Sequence, residues 1–112
     1  MTRLTIRFDF DGDRRLGPGK IALLEAIAAT GSISAAGRQH KMSYRRAWLL
    51  VDTMNRCFKS PVVAAATGGR RGGGTALTTV GLEVVRRYRR LESAAAKAGA
   101  ADIRAFLALL AR

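Results

Sequence analysis

A chain of 112 residues has room for one compact domain and little more. Apolar residues make up 48% of it, which excludes a disordered chain, and aromatics at 6% leave the core aliphatic. Twenty Lys and Arg against eight Asp and Glu give a net charge of +12, a self-repulsion that implies a polyanionic partner. The excess is uneven: residues 1–40 carry six cations and four acids, and residues 41–112 carry fourteen and four. A nearly neutral part beside a strongly basic one predicts a binding surface. One cysteine, Cys57, excludes an internal disulfide, and with a single histidine, His40, it excludes a Cys/His zinc site. There is no run of 18 apolar residues and no charged start leading into an apolar secretory stretch, so a soluble, cytoplasmic protein without a membrane partner is expected.

The first stretch alternates. Leu4, Ile6, Phe8 and Phe10 share one side and Thr5, Arg7 and Asp9 the other, which predicts a half-buried strand available to pair with a later hairpin. Asp11-Gly12-Asp13 reads as a turn. Asp9, Asp11 and Asp13 mimic the start of a calcium loop, but Arg14 and Lys20 stand where that loop needs Gly and Glu. Gly17-Pro18 opens a helix, with Pro at the first helical position, where its missing N–H costs nothing. Ile21, Leu24, Ile27 and Ala28 form its apolar stripe, and Gly31 ends it. Ser32 caps a short second helix over about 33–40. The connection His40-Lys41-Met42 leads to Ser43, which caps a third helix reaching about residue 58, ahead of Pro61.

Residues 62–66 and 75–78 are strand-like and flank Thr67-Gly68-Gly69-Arg70-Arg71-Gly72-Gly73-Gly74, which predicts a hairpin with a glycine-loaded tip. Thr79 is expected to cap a long helix to about residue 98, with Glu83 near its positive end. Gly99 breaks it, and Asp102 caps a last short helix carrying Ile103, Phe106, Leu107 and Leu110 on one side. The fold class is therefore mainly α with a small β-sheet: a winged helix-turn-helix with an N-terminal strand, a β-hairpin wing and a long C-terminal dimerisation helix. Residues 1–78 form the winged helix-turn-helix DNA-binding domain, and residues 79–112 a helical dimerisation or linker region of the same compact unit.

Two short helices joined by about three residues, the second capped and basic, match the helix-turn-helix pattern. In the third helix Ala47, Leu50, Val51, Met54 and Phe58 cluster on the inner side, while Arg45, Asp52, Arg56 and Lys59 lie opposite with Leu49 among them. Ser43, Tyr44, Arg45 and Arg46 crowd the first turn, the part of a recognition helix that meets base edges in the major groove. Arg pairs bidentately with guanine there, and Ser43 and Tyr44 reach phosphate or base. Cations at the positive end of a helix need compensation, which phosphate supplies and an ordinary solvated face does not. Trp48 is expected to pack at the edge of the buried face, and it also belongs to the candidate DNA contacts. Leu49 projects outward, toward a thymine methyl or a neighbouring subunit. Ser32, at a helix N-terminus, and Lys41, in the turn, complete the set on this side.

The glycine-rich tip lacks the Gly-Lys-Ser/Thr ending of a nucleotide-phosphate loop, and an Arg-Gly RNA-binding tract belongs in a disordered tail rather than between two strands. A wing fits best, with Arg70 and Arg71 leaning into the minor groove, ahead of a plain flexible loop. Val84, Tyr88, Leu91, Ala95 and Ala98 recur at heptad spacing. With Phe106 and Leu110 from the last helix they predict a homodimer, against the competing view that both helices fold back onto the monomer. His40 has no partner for catalysis, and no carboxylate pair, Ser–His–acid set or Cys–His pair is available, so no enzyme is expected.

Gly31-Ser32-Ile33-Ser34-Ala35-Ala36, then Met42-Ser43-Tyr44-Arg45-Arg46-Ala47-Trp48 and Met54-Asn55, resembles the DNA-binding domain of the ModE-type molybdate-responsive transcriptional regulators. The stretch Ala66-Thr67-Gly68-Gly69-Arg70-Arg71-Gly72-Gly73-Gly74, closing on Leu77-Thr78, is similar to that family's wing. The first segment is shared more loosely with LysR-type regulators. The resemblance covers roughly residues 3–95. It implies a bacterial, dimeric, palindrome-binding regulator whose winged domain dimerises through its long C-terminal helix. Full-length members continue into molybdate-binding domains, which these 112 residues do not contain, so molybdate sensing by this chain is not expected.

The function expected is sequence-specific binding of double-stranded DNA by a homodimeric transcriptional regulator, ModE-like but without its own molybdate-sensing domain, and served where needed by a separate sensor protein. No cofactor or metal is assigned; molybdate enters only through the resemblance. The alternatives are a nonspecific nucleoid or RNA-binding protein, and an interaction adaptor docking through its C-terminal helix.

Overall fold

The computed structural model describes residues 2–66 and 74–111. In chain order it contains β1 (Phe8–Asp9), β2 (Arg15–Leu16), α1 (Pro18–Thr30), α2 (Ile33–Gln39), α3 (Tyr44–Cys57), β3 (Val63–Ala65), β4 (Thr75–Leu77), α4 (Thr79–Ala98) and α5 (Ala100–Leu109). β1 and β2 form one antiparallel pair and β3 and β4 another, with Val63 opposite Leu77 and Ala65 opposite Thr75. This is a mainly α, winged-helix-like fold.

α1 is the hub, because its residues are apolar on nearly every side. Ile21, Leu23, Leu24, Ala26 and Ile27 are all buried, and the helix packs against α2, α4 and β4, as a helix without a polar face must. Leu23 is therefore buried where a single stripe had placed Ala28, which is exposed. Pro18 opens α1 and Gly31 closes it at φ +71°, its N–H donating to the carbonyl of Ile27 at 2.8 Å. That left-handed conformation suits glycine. Ile33 and Ala36 from α2, Ala47, Val51 and Met54 from α3, and Val62 and Val63 at β3 complete the core, and no polar or charged residue among those described is buried in it.

The N-terminal alternation resolves differently from the expected strand. Only Phe8–Asp9 is extended in a ladder, and it pairs with β2 next door rather than with the hairpin. The reason is local. Gly12 at φ +54° lets the chain reverse, Arg14 N–H donates to Asp11 O at 3.0 Å, and Phe10 N–H donates to Arg14 O at 2.9 Å. A loop this short closes at less entropic cost than a pairing some sixty residues away. Two of the three acids that mimic a calcium loop are taken by arginines, Asp11 by Arg14 and Asp9 by Arg7 and Arg15. The apolar side still packs: Phe8 meets Tyr88 edge-on at 6.5 Å and Phe10 meets Phe58 at 6.4 Å.

α4 begins one residue earlier than its expected cap. Thr78, not Thr79, is the N-cap; its hydroxyl accepts from Gly81 N–H at 3.0 Å and donates to Pro61 O at 2.6 Å. That second bond reaches across to the β3 approach, and it decides between two adjacent threonines. α4 is held to α1 by Arg89, which grips both oxygens of Glu25 at 2.7 and 3.0 Å and also reaches Glu92 at 2.8 Å. The Arg89 guanidinium holds the Glu25 carboxyl below its ordinary pKa. A carboxylate whose pKa is lowered on folding stabilises the fold above its unfolded pKa, near 4.5, and loses that contribution as pH falls through the lower folded value. Glu25→Gln is thus expected to cost below about 1 kcal/mol at pH 7, since the pair is partly exposed. In denaturant titrations the gap from the parent narrows below about pH 4.5.

Beyond Ala98 the expected break is a single residue. Gly99 N–H donates to Ala95 O at 2.9 Å, and α5 starts at Ala100, capped by Gly99 rather than by Asp102, which sits in its first turn. α5 buries none of its residues. The molecule measures 54 × 30 × 25 Å with a radius of gyration of 16.5 Å, against about 13 Å for a compact chain of this length.

Candidate nucleic-acid interface

The helix-turn-helix is built from short-range chemistry. Ser32 Oγ accepts from Ala35 N–H at 3.0 Å and so caps α2; Ser43 Oγ accepts from Arg46 N–H at 3.1 Å and caps α3. Between them Lys41 takes φ +57°, and Met42 N–H donates to Gly37 O at 2.9 Å, turning the chain sharply. Gly37 is where α2 and α3 cross: a Cβ there would lie 2.9 Å from the Ala47 Cβ. Ala47, Val51 and Met54 then fix the rotation of α3 by burying its inner side.

That rotation places Tyr44, Arg45, Trp48, Leu49 and Asp52 together along an open groove on the outer side. The helix period accounts for the set, since these positions are one, three or four residues apart. Trp48 corrects the expectation that it packs at the edge of the core. It is 44% exposed, its ring set edge-on to Tyr44 at 6.1 Å. Ala47 faces inward as expected, and Trp48, about 100° further round the helix, turns out to the open side. Leu49 projects outward at 57% exposure. Ser43, Arg45, Arg46 and Lys41 are exposed. None of the ion pairs among the described residues involves these three cations, whereas Arg56 is tied to Asp52 at 3.0 Å.

A second concavity of about 600 Å³ joins this helix to the hairpin and is lined by Ser32, Ser34, Tyr44, Trp48, Ala65 and Thr75 among others. The base of the hairpin is clasped to the α1–α2 junction, with Thr75 N–H donating to Gly31 O at 2.9 Å. Arg70 and Arg71, assigned to the wing tip, lie outside the described residues. Of the hairpin, Ala65, Gly74 and Thr75 line one concavity with Tyr44 and Trp48 of α3.

Asn55 is the residue that sequence reasoning quoted without giving it a role. Its Oδ1 accepts from Val62 N–H at 2.8 Å and Val63 N–H at 3.0 Å, and its Nδ2 donates to Val63 O at 3.3 Å. An amide among Val51, Met54 and Phe58 on the inner side of the helix was the available signal, because a polar group there needs partners. It locks the start of β3 to α3.

The seam assigned to dimerisation divides. Tyr88 is only 2% exposed and its hydroxyl donates to Ile6 O, so it closes the core of its own chain instead of meeting a partner. Val84 packs against that core, and Leu91 and Ala95 stand further out along α4. Phe106 and Leu110 on α5 are 69% and 64% exposed. Leu107, Ile103 and the N-terminal Leu4 line a shallow apolar site with them.

A winged-helix-like fold with a capped, exposed, cationic first turn on its second helix-turn-helix segment defines the class. The chain is 47% identical over 83 residues to the molybdenum-pterin-binding protein MopB of Rhodobacter capsulatus, covering 74% of this chain and 31% of that protein. It is 44% identical over 93 residues to the molybdenum transport protein ModE of Azotobacter vinelandii, covering 81% and 34%. It is 39% identical over 71 residues to the DNA-binding transcriptional dual regulator ModE of Escherichia coli (strain K12), covering 63% and 27%. Over these stretches the chain is related to the ModE and Mop proteins, and it spans about a third of the length of the curated relatives it matches. None of these names is that of an enzyme. No family model matches the chain. No helix among the described residues is long and apolar enough to cross a membrane.

Proposed function

We propose that this chain is a sequence-specific DNA-binding unit of a transcriptional regulator, with α3 in the major groove and the β3–β4 hairpin, carrying Arg70 and Arg71, as the wing. The observation that carries this reading is the outer side of α3. It combines one arginine, Arg45, with Tyr44, Trp48 and Leu49 along one open edge, flanked by Lys41 and Arg46, which no carboxylate among the described residues engages. A protein that binds phosphates alone has no use for apolar side chains at that edge; binders that stack bases or wedge between them without reading sequence do, and the competition experiment below separates them. Ser32 at the start of α2, and Lys41 in the turn, are the phosphate contacts of the reading. It includes a homodimer formed through the outer parts of α4 and α5, Leu91, Ala95, Phe106 and Leu110. A ten-residue helix that buries nothing of its own leaves large apolar groups for a second copy to cover. Two α3 helices so arranged read half-sites about one helical turn apart. Neither cofactor nor metal is assigned to this unit, and the molybdenum in its relatives' names belongs, in this reading, to a separate sensing element.

Selection from random duplex DNA tests it. The protein is expected to enrich a palindromic motif and to prefer it over random DNA by at least about 10³ at physiological salt. Equal competition by random DNA, or enrichment of RNA instead, refutes the reading.

A further inference from the structure

We infer that α3 reads the C5-methyl group of thymine within the half-site, with Leu49 and Trp48 as the reading surface; this rests on the proposed DNA-binding function. Along the outer side of α3 the chemistry is unbalanced. Within the groove at its N-terminal half Arg45 is the one cation and Asp52, paired with Arg56 beyond it, the one acid, while Tyr44, Trp48 and Leu49 fill the remainder. A leucine that is 57% exposed beside an indole has nothing to hydrogen-bond with. Among the four base pairs the only apolar feature facing the major groove is the thymine methyl.

Geometry supports the assignment. The Tyr44 ring meets the Trp48 ring at an interplanar angle of 64°, which props the indole beside Leu49. Leu49 lies four residues beyond Arg45, a rise of about 6 Å or nearly two base-pair steps. A guanine engaged by Arg45 therefore brings the methyl of a thymine one or two base pairs away under Leu49. Asp52, paired with Arg56 at 3.0 Å, ends the surface.

The test uses the duplex enriched in the selection above, resynthesised with deoxyuridine for every thymine and then at single positions, a change that removes the methyl and keeps every base-edge hydrogen-bonding group. The parent protein is expected to bind the fully substituted duplex at least tenfold more weakly. Each contacted methyl should contribute about fourfold, corresponding to about 0.8 kcal/mol, and the sensitive positions should lie within two base pairs of the guanine. In Leu49→Ala the thymine-to-uracil ratio at those positions falls to near one, with the thermal midpoint unchanged because Leu49 is on the surface. Equal binding of thymine and uracil duplexes by the parent overturns the inference while leaving the regulator reading standing. So does a full ratio retained in Leu49→Ala, or a change of oligomeric mass in that variant with the ratio intact, which would assign Leu49 to a second copy. Failure to enrich any duplex defeats the regulator reading and this inference together.

Discussion

Gly81→Ala is expected to lower stability by about 3 kcal/mol, the upper end for overpacking, and the thermal midpoint by roughly 10–20 °C. Gly81 sits in the first turn of α4, buried against the approach to β3. A Cβ there would overlap the carbonyl oxygen of Val62 and lie 3.0 Å from its carbonyl carbon and 3.3 Å from the Leu77 Cβ. Two of these neighbours are main chain and cannot rotate away. The same carbonyl accepts from Thr78 N–H at 3.0 Å, and Thr78 caps the very turn that Gly81 occupies. Moving Val62 to make room also disturbs its bond to Asn55, so the strain spreads to α3. Gly19→Ala is the control. Its Cβ meets nothing within 4 Å, and removing glycine from a helix is neutral or gains up to about 1 kcal/mol. Thermal melts followed by circular dichroism separate the two; a midpoint for Gly81→Ala within about 2 °C of the parent, equivalent to well under 1 kcal/mol, defeats the close-approach argument.

Arg45→Ala is expected to weaken binding of the enriched duplex by 1–3 kcal/mol, about five- to 150-fold, and to erase preference at one base pair per half-site. Arg46→Ala serves as its contrast. Both side chains are exposed at the N-terminus of α3, yet only Arg45 joins the open groove with Trp48 and Leu49; Arg46 is turned about 100° from it around the helix. Arg46 is therefore suited to phosphate. Its removal should weaken all sequences alike and reduce the slope of log affinity against log salt by about 0.9. Titrations at several salt concentrations, on the enriched duplex and on single-base variants, distinguish the two effects. If Arg45→Ala loses affinity uniformly across sequences, the reading role belongs to another residue.

The parts of this molecule legible from sequence are those whose chemistry is settled within a few residues. Ser32 and Ser43 cap their helices as expected, Gly31 stops α1, and Asp11-Gly12 turns, because each needs only a neighbour three or four positions away. The choice of Thr78 over Thr79 depends on Pro61, seventeen residues earlier, and could not be read locally. The N-terminal alternation identified the right apolar side and the wrong partner, since period-two patterning says which side is buried and nothing about which strand lies beside it. Heptad spacing drew Tyr88 into a dimer seam for the same reason. An apolar stripe on a helix records that something covers it, and here Phe8 and the Ile6 carbonyl, some eighty residues away, do so. Trp48 was misjudged by its size: a large ring at the border of a helical wheel was expected to pack at the edge of the buried face, and it lies 44% exposed against Tyr44 instead. The outer side of α3 was nearly complete in the sequence, and the role of Asn55 was not, because its partners lie on another element.

α3 divides its positions cleanly. Ala47, Val51, Met54 and Asn55 hold the helix and the hairpin stem in place, while Tyr44, Arg45, Trp48, Leu49 and Asp52 lie on the exposed side and touch no other element's core. The outer five can therefore change with little effect on how the helix and the hairpin stem pack, so the exposed side of α3 is free to vary separately from the fold.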